Sequence, residues 1–385
     1  MTCLGARFVQ VGANGFYGFA WLLHPVKIAG GALSCRCLRG VGGMQRRWLA
    51  AAMLVTAELL GGHDLRAAET VSIDLSKWTP PDIGTIGDDP FGRLVKYGHT
   101  LFTDTANEIG PLGSNLSKRF AGNSLACQNC HLQAGTQPYA MPLTGIWGQF
   151  PQYRAREGAV ATLEERINGC MTRSMNGRAL PLESREMRAF LSYLRWLSTG
   201  IPDGAKLVGA GTLSIQEPAR VADLGHGAQV FAENCAACHG SDGLGRRAQY
   251  GAGYQFPPLW GSDSYNNGAG MSRLLTAAAY AMHNMPIGTT FDTPVLADDD
   301  AYDVGAYIVS KKRPAMANLE KDFPVRLEKP IDTPYGPFSD GFSPEQHKFG
   351  PFGPIRARVQ ELAAASKPMK AGGPDNGSLQ SDQRR

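Results

Sequence analysis

Two copies of one five-residue motif, Cys-x-x-Cys-His, constrain this chain of 385 residues more than any other feature of its sequence. The motif residues are Cys127, Cys130 and His131 in the first copy and Cys235, Cys238 and His239 in the second. The thiols of such a motif bond covalently to the vinyl groups of a c-type haem, and the adjacent histidine binds the iron. A structural zinc site needs four ligands, and neither half of the chain adds a further pair of cysteines or histidines at zinc spacing. The sequence therefore predicts two covalently bound haem c groups.

Helical patterns flank both motifs in the same order. Similar amphipathic segments precede the motifs at residues 98–102 and 227–231. A second helix is predicted after each motif, because apolar residues recur there at three- and four-residue intervals. These residues are Met187, Phe190, Leu191, Leu194 and Leu197 in the first half and Ala301, Val304, Gly305 and Ile308 in the second. The predicted fold class is all-α, with two tandem class I cytochrome c domains and an extended arm rich in proline and glycine.

Local composition sets the limits of the predicted domains. The first cytochrome c domain spans residues 69–204 and the second spans residues 223–325, with a linker rich in small residues at 205–222. Residues 326–364 combine proline and glycine with aromatic residues at short intervals, which predicts an ordered extended arm. The composition of residues 365–385 predicts a disordered tail.

The N-terminal residues are predicted to be removed on export. A basic stretch at 44–47, an apolar run at 48–60 and small residues up to Ala68 form the layout of a secretory signal peptide, assigned to residues 44–68. We interpret residues 1–43 as an extension from a mis-called start codon, with a longer leader that is also removed as the alternative. The mature chain is then predicted to be periplasmic, where bacteria attach haem c, and to lack a membrane span, because it has no uninterrupted run of about eighteen apolar residues.

The charge balance excludes nucleic acid as a partner. The whole chain has 38 Lys and Arg residues and 34 Asp and Glu residues, a formal net charge of +4. Seven of these bases and two of these acids lie in residues 1–68, so that 31 bases and 32 acids remain in the mature chain. A nucleic-acid site would need a clustered basic face, which a nearly neutral chain does not indicate.

The second domain offers three candidates for the distal iron ligand. Met285 lies 46 residues after His239, within the distance at which cytochrome c domains supply this ligand. Thioether sulfur is a normal haem ligand and raises the reduction potential. Met282 and His283 are the alternatives, but Met282 continues the apolar stripe of the preceding helix. Met285 is therefore the favoured ligand.

Cys170 is the corresponding candidate in the first domain, 39 residues after His131. In the mature chain it is the only cysteine outside the two motifs, and an unpaired thiol in an oxidising compartment suggests a function. The alternative makes Cys170 a small buried side chain and Met171 or Met175 the ligand. Ferric iron beside a cationic site would favour the thiolate form of Cys170.

Arginine and serine residues accompany Cys170 in the sequence. Arg166, Cys170 and Ser174 fall at i, i+4 and i+8, which places them on one face if the helix is continuous. A guanidinium and a hydroxyl beside a reactive sulfur suit a small oxyanion. The alternative is a basic face in contact with solvent. Further arginines that are predicted to extend the pocket are Arg156, Arg173 and Arg178.

These residues belong to a longer pattern that resembles a known family. The segment TLE-x-RI-x-x-CM-x-RS-x-NG at residues 162–177 is similar to the haem 1 region of diheme thiosulfate dehydrogenases of the TsdA type. The resemblance continues in GT at 135–136, FP-x-Y at 150–153, PYGPF at 334–338 and QHKFGPF at 346–352. It therefore covers most of the predicted mature chain, and its motifs are specific.

The resemblance implies two haem sites with different ligands. The active-site haem would be ligated by His131 and Cys170, and the electron-exit haem by His239 and Met285. Some members of the family have lysine beside that methionine, where this chain has Asn284. The implied reaction joins two thiosulfate ions into tetrathionate, and the electrons pass from the first haem to the second and on to a periplasmic acceptor such as a cytochrome.

Our hypothesis for the mechanism uses Cys170 as the reactive sulfur. Cys170 leaves the iron and takes up one thiosulfate as a sulfur adduct, which a second thiosulfate attacks. Arg166 and Arg156 hold the sulfonate oxygens, and Ser174 donates a hydrogen bond. Arginines in a pocket of low dielectric constant can offset the repulsion between two dianions.

Three alternative functions remain open from the sequence. The first is a non-enzymatic diheme electron carrier, in which both irons would have methionine as distal ligand. The second is a subunit similar to SoxA of the sulfur-oxidising complex, which would require a partner cytochrome. The third is the same fold acting mainly as a tetrathionate reductase, and the low potential of a thiolate-ligated haem beside a methionine-ligated one favours oxidation instead.

Overall fold

The computed structural model describes residues 71–249 and 253–366. The predicted extension at 1–43, the signal peptide at 44–68 and nearly all of the predicted tail lie outside these residues. Among the described helices, none combines the length and the apolar character that crossing a bilayer requires.

Three helices form the first domain. Helix α1 spans Pro90–Thr103, α2 spans Leu163–Arg173 and α3 spans Arg185–Leu197. A side-chain oxygen just before each helix accepts a hydrogen bond from a backbone N–H of the first turn, which would otherwise lack a partner. These capping residues are Asp89, Thr162 and Ser184.

Helices α1 and α3 pack closely at Gly98. A Cβ atom at this position would overlap the carbonyl oxygen of Ala189 in α3. The lack of a side chain therefore allows the two backbones to approach each other. The apolar stripe predicted for α3 faces the core, where the buried residues are Met187, Phe190, Leu194 and Leu197.

The second domain repeats this arrangement. Helix α4 spans Leu224–Asn234, α5 spans Leu274–Asn284 and α6 spans Asp298–Ser310. A Cβ atom on Gly227 would overlap the carbonyl oxygen of Asp303 in α6, just as a Cβ atom on Gly98 would overlap that of Ala189 in the first domain. The repeated crossing of first and last helices confirms the predicted pair of all-α cytochrome c domains.

Short strands form three two-stranded sheets around the helices. The strands are β1 (Ser72–Asp74), β2 (Gln152–Arg154), β3 (Ala159–Ala161), β4 (Lys206–Val208), β5 (Arg246–Arg247) and β6 (Tyr254–Phe256). β1 pairs with β4 in parallel, whereas β2 with β3 and β5 with β6 are antiparallel pairs. Strand β4 lies in the predicted linker, and its pairing with β1 holds this segment against the first domain.

Single helical turns complete the secondary structure. The α-helical turns are Thr105–Glu108, Leu132–Gly135 and Ala236–His239. The 3-10 turns are Leu75–Lys77, Ile83–Thr85, Leu116–Lys118, Cys127–Asn129, Ile146–Gln149, Gly270–Ser272, Leu319–Lys321 and Arg326–Glu328.

The C-terminal arm differs at its end from the predicted extended form. It contains helices α7 (Pro344–Phe349) and α8 (Phe352–Ser366), and α8 continues into the first two residues of the predicted tail. Phe352 and Ile355 lie one turn apart on α8, and both are buried against the core of the second domain. The burial of these two side chains explains why this part of the arm is helical.

The two domains meet at the end of α2. Residues 263–268 of the second domain lie against this end, and Asn266 Nδ2 donates to the carbonyl oxygen of Thr172 at 2.8 Å. Asn123 Nδ2 donates to the carbonyl oxygen of Ser174 at 2.9 Å. These hydrogen bonds fix the segment that follows Cys170.

Candidate active site and haem pockets

The first motif presents its histidine in a defined orientation. Residues 127–129 form a 3-10 turn that ends immediately before Cys130 and His131. The Nδ1–H group of His131 donates to the carbonyl oxygen of Met141. This bond fixes the tautomer and the ring plane, and it leaves Nε2 as the nitrogen that can bind iron.

Cys170 lies near this histidine. Burial acts to raise the pKa of the Cys170 thiol, but the charge and hydrogen bond of Arg166, together with the neighbouring His131, lower that pKa to about 6. By contrast, burial raises the pKa of the Cys130 thiol to about 12. The cationic neighbour therefore distinguishes Cys170 from the thiol of the motif and favours its thiolate form.

The predicted helical face through Cys170 is present. Arg166 Nη1 donates to Cys170 Sγ at 2.7 Å. Helix α2 ends at Arg173, but Ser174 still has helical torsion angles and its N–H donates to the carbonyl oxygen of Cys170. Arg166, Cys170 and Ser174 therefore follow one another along one face, as their spacing predicts.

Two of the other predicted arginines are bound to a carboxylate that lies just before the C-terminal arm. Arg156 Nη1 lies 2.8 Å from Asp322 Oδ2, and Arg173 Nη2 lies 2.7 Å from Asp322 Oδ1. The hydroxyl of Tyr335 donates to the same carboxylate at 2.7 Å. Arg178 instead covers the ring of Phe120, with its guanidinium carbon 4.2 Å from the ring centre.

These contacts assign the predicted arginines to different environments. The structure brings Arg166 into contact with Cys170, and it places Arg156 and Arg173 around Asp322. The charge of Asp322 offsets part of their positive charge. Burial acts to raise the pKa of Asp322, but Tyr335 and the two arginines outweigh it and lower that pKa. Sequence reasoning missed Asp322, because a partner 166 positions from Arg156 leaves no local pattern.

Arg154 is a further residue that sequence reasoning missed. It ends strand β2, and its Nε donates to Glu157 Oε2 at 3.1 Å across the turn to β3. Burial lowers the pKa of the Arg154 guanidinium, and the nearby charge of Arg166 lowers it further. Arg154 and Arg166 are therefore neighbouring like charges, and Arg166 contacts Cys170, which suits an anionic ligand. The only signal for it was the Arg-x-Arg sequence that continues the FP-x-Y segment.

The second motif lines a cavity of about 740 Å³. His239 Nδ1 donates to the carbonyl oxygen of Pro257 at 2.7 Å, which again leaves Nε2 for iron. Met285 follows α5 in an extended conformation and lines the same cavity as Cys235, Cys238 and His239. Two thiols, an imidazole and a thioether are the groups that hold a c-type haem, so the residues present fit this cofactor.

The two alternative distal ligands have other contacts. Met282 packs against the hydrophobic core of the second domain. His283 is buried, and its Nδ1 bonds to the carbonyl oxygen of Ala279 at 2.9 Å, within α5. This geometry favours Met285 over both neighbours.

Fold and sites together define a c-type cytochrome with two cytochrome c domains, the first of which carries a cysteine near the histidine of its motif. Residues 113–202 match the SoxA/TsdA cytochrome c domain, and residues 225–312 match the cytochrome c domain. A thiosulfate dehydrogenase of Stutzerimonas stutzeri is 39% identical over 62% of this chain and 74% of its own length. The chain belongs to the thiosulfate dehydrogenase family, whose members are oxidoreductases acting on sulfur compounds.

Further relatives agree with this assignment. A thiosulfate dehydrogenase of Allochromatium vinosum is 40% identical over 61% of this chain and 84% of its own length. The solved structure of thiosulfate dehydrogenase (TsdBA) from Marichromatium purpuratum, in its as-isolated form, matches with a TM-score of 0.57 and 36% identity. That match covers 63% of this chain and 51% of the solved chain, so this chain spans about half of that protein.

Proposed function

We propose that this protein oxidises two thiosulfate ions to one tetrathionate ion and two electrons. The observation that carries the proposal is the 2.7 Å contact between Arg166 Nη1 and Cys170 Sγ, near the histidine of a haem motif. A carrier that only transfers electrons has no need of a thiolate and a partly buried guanidinium at this position.

Two haem c groups fit the proposal. Haem held covalently at the two motifs supplies one-electron acceptors that pass electrons to a carrier outside the protein. The ligands would be His131 and Cys170 at the first site and His239 and Met285 at the second. Because a thioether raises the reduction potential and a thiolate lowers it, this ligand order favours oxidation of thiosulfate over reduction of tetrathionate.

Cys170 provides the sulfur on which the new bond is made. Its thiolate and the outer sulfur of one thiosulfate form a sulfur–sulfur bond and give up two electrons, so that Cys170 Sγ then carries an S–SO₃⁻ group. The outer sulfur of a second thiosulfate attacks the sulfur of this group that is bonded to Cys170 Sγ, and the bond to Sγ breaks. The products are tetrathionate and the Cys170 thiolate, so atoms and charges balance.

The surrounding side chains offset the charge of the substrates. Two thiosulfate dianions repel each other, and a partly buried guanidinium opposes this repulsion more strongly than water does. Arg166 and Arg154 bind sulfonate oxygens, and the Ser174 hydroxyl donates one hydrogen bond. Arg156, bound to Asp322 of the second domain, supports this positive region and holds the hairpin of β2 and β3 in place.

The electron acceptor is proposed to be a periplasmic carrier, such as a small cytochrome. Bacteria attach haem c outside the cytoplasm, which supports the periplasmic location predicted from the leader. The reverse reaction, reduction of tetrathionate, uses the same residues and is the second candidate function.

The test is the Cys170→Ala variant, assayed by thiosulfate-dependent reduction of ferricyanide. We expect no turnover, with two covalent haem groups still present by the pyridine haemochrome method. The matched control is Met171→Leu, which changes the neighbouring buried residue and should retain activity. An active Cys170→Ala enzyme, or electron paramagnetic resonance spectra with two His/Met sites, would support the electron-carrier function instead.

A further inference from the structure

We propose that Asn284 is a positioning residue that connects the two haem sites and holds Met285 in place through the first domain. The inference rests on the proposed function, because it takes His131 and Met285 as iron ligands. It concerns the loop at residues 133–141, which follows the first motif and contacts the end of α5.

Asn284 uses both ends of its side-chain amide across the domain boundary. Its Oδ1 accepts from Gln137 Nε2 at 3.1 Å, and its Nδ2 donates to the carbonyl oxygen of Tyr139 at 3.2 Å. Nδ2 also donates to the carbonyl oxygen of Tyr280 within α5 at 3.3 Å. Asn284 is only 4% exposed, so water cannot easily replace these partners.

The loop that receives these bonds is held rigidly. Four residues other than glycine adopt the left-handed conformation there, and they are Gln133, Ala134, Tyr139 and Met141. Such torsion angles persist only where the surrounding structure fixes them. Here the N–H groups of Tyr139 and Met141 donate to the carbonyl oxygens of Gly209 and Gly211 at 2.7 and 2.8 Å.

The same loop binds the proximal histidine of the first site. The carbonyl oxygen of Met141 accepts the Nδ1–H of His131, two residues from the carbonyl oxygen of Tyr139 that binds Asn284. A second bond runs in parallel, because the Tyr280 hydroxyl donates to the carbonyl oxygen of Cys130 at 3.0 Å. Helix α5 is therefore attached to the first motif one turn before its end, and to the loop after that motif at its last residue.

Met285 lies in a segment of the second domain that contacts this loop on both sides of it. Asn284 precedes it, and the ring of Phe291 packs on the ring of Tyr139 with their centres 4.4 Å apart. The chain between these points is only partly buried: Ile287 is 73% exposed, whereas Thr289 is 6% exposed. The position of Met285 in its cavity thus depends on contacts with the first domain, and loss of the amide should release the thioether.

The test is competition between Met285 and added imidazole in the oxidised holoprotein. Near-infrared magnetic circular dichroism separates the signal of a His/Met site from that of a His/Cys site, so the methionine-bound fraction can be followed alone. In Asn284→Ala and Gln137→Ala we expect the apparent affinity for imidazole at the second site to rise about tenfold, because less free energy opposes displacement of the thioether. Ile287→Ala, beside Met285 but without a bond to the first domain, should match the wild-type protein.

The outcomes separate this inference from the proposed function. A wild-type protein without a His/Met signal overturns the ligation by Met285 and the inference with it, whereas thiosulfate oxidation at Cys170 still stands. A His/Met signal whose imidazole affinity is the same in wild type, Asn284→Ala and Gln137→Ala overturns the inference alone. The imidazole affinity of each variant is measured from its own haem spectrum. If one variant fails to incorporate haem, the other therefore still provides the comparison with wild type.

Discussion

The guanidinium of Arg166 lies one helical turn before Cys170 and donates Nη1–H to its sulfur at 2.7 Å. This pair combines two functions in a single contact, since the same charge that favours the thiolate also attracts an anionic substrate. The binding of an anion by Arg166 depends on the planar set of N–H donors of the guanidinium as well as on its charge.

Replacement of Arg166 should therefore impair catalysis strongly. In Arg166→Ala we expect kcat/KM for thiosulfate to fall by about a hundredfold, the usual effect of removing a donor that stabilises developing charge. Arg166→Lys keeps the charge but lacks the fork, so its kcat/KM should lie between that of Arg166→Ala and the wild type. Thiosulfate-dependent reduction of ferricyanide measures both, and a wild-type kcat/KM in Arg166→Ala would contradict the role given to this residue.

Asp322 should contribute more to stability than any exposed carboxylate of the arm. It is 7% exposed and binds Arg156 and Arg173, so Asp322→Ala leaves two partly buried positive charges without their partner. We expect a loss of about 3 kcal/mol, which corresponds to a fall in Tm of roughly 10 °C. Calorimetry of the holoprotein measures this change.

Glu328 provides the control for Asp322. It is an exposed carboxylate of the C-terminal arm, shortly after Asp322 in the chain, and it accepts a hydrogen bond from the Tyr153 hydroxyl at 2.6 Å. Glu328→Gln should change stability by less than about 1 kcal/mol. Equal changes in Tm for the two variants would show that burial of the Asp322 carboxylate is unimportant.

The pH dependence of stability should reveal the cluster around Asp303 in α6. Burial acts to raise the pKa of Asp303, but bonds from Arg220 and His226 lower it, so its contribution is lost as pH falls through the lowered pKa. Hydrogen bonding to Asp303 raises the pKa of His226, so that contribution is lost as pH rises through the raised pKa. The other charged groups facing these side chains are Asp223, Asp299 and Asp300.

Both contributions are present together between about pH 4 and pH 6.5, the usual pKa values of the two side chains. Wild type and Asp303→Asn should therefore differ most in Tm within this window and less on either side. Thermal unfolding at a series of pH values gives the comparison, and a difference in Tm that does not vary with pH would exclude titration of this cluster as its cause.

Two glycines in helices should respond in opposite directions to alanine. Gly98→Ala places a Cβ against the backbone of α3 and should cost about 2 kcal/mol, because neither backbone can move without disturbing the core. Gly353 in α8 has open space around its Cα, so Gly353→Ala should stabilise by up to about 1 kcal/mol through helix propensity. Chemical denaturation measures both, and a stable Gly98→Ala would argue against the tight crossing of α1 and α3.

The features that could be predicted from the sequence are those that depend on the spacing of neighbouring residues along the chain. Cys127 and His131 lie in one turn, and Met187 to Leu197 form one helical stripe, so short-range geometry decides their arrangement. The spacing of Arg166, Cys170 and Ser174 likewise predicted a shared face, because four residues make about one helical turn.

Features that depend on long-range contacts could not be predicted in this way. Asp322 reaches Arg156 only because the end of the second domain folds back over the hairpin, where the N–H of Phe323 donates to the carbonyl oxygen of Arg156 at 2.8 Å. The helical form of residues 352–366 depends on burial of Phe352 and Ile355 against a core formed some 50 residues earlier. Proline and glycine content describes the local chain and carries no information about such partners.

Arg154 and Glu157 offer a final test of the anion site, because their replacement should change KM in opposite directions. Arg154 lies near Arg166, so Arg154→Gln removes one of two adjacent positive charges and should raise KM for thiosulfate about tenfold. Glu157 competes with the substrate for Arg154 through the 3.1 Å contact, so Glu157→Gln should lower KM by up to about fivefold, the range of a partly exposed ion pair. Steady-state kinetics at constant ionic strength separates these effects from general screening. If both variants kept the wild-type KM, Arg154 would be a structural residue of the hairpin, and Arg166 would bind the anion alone.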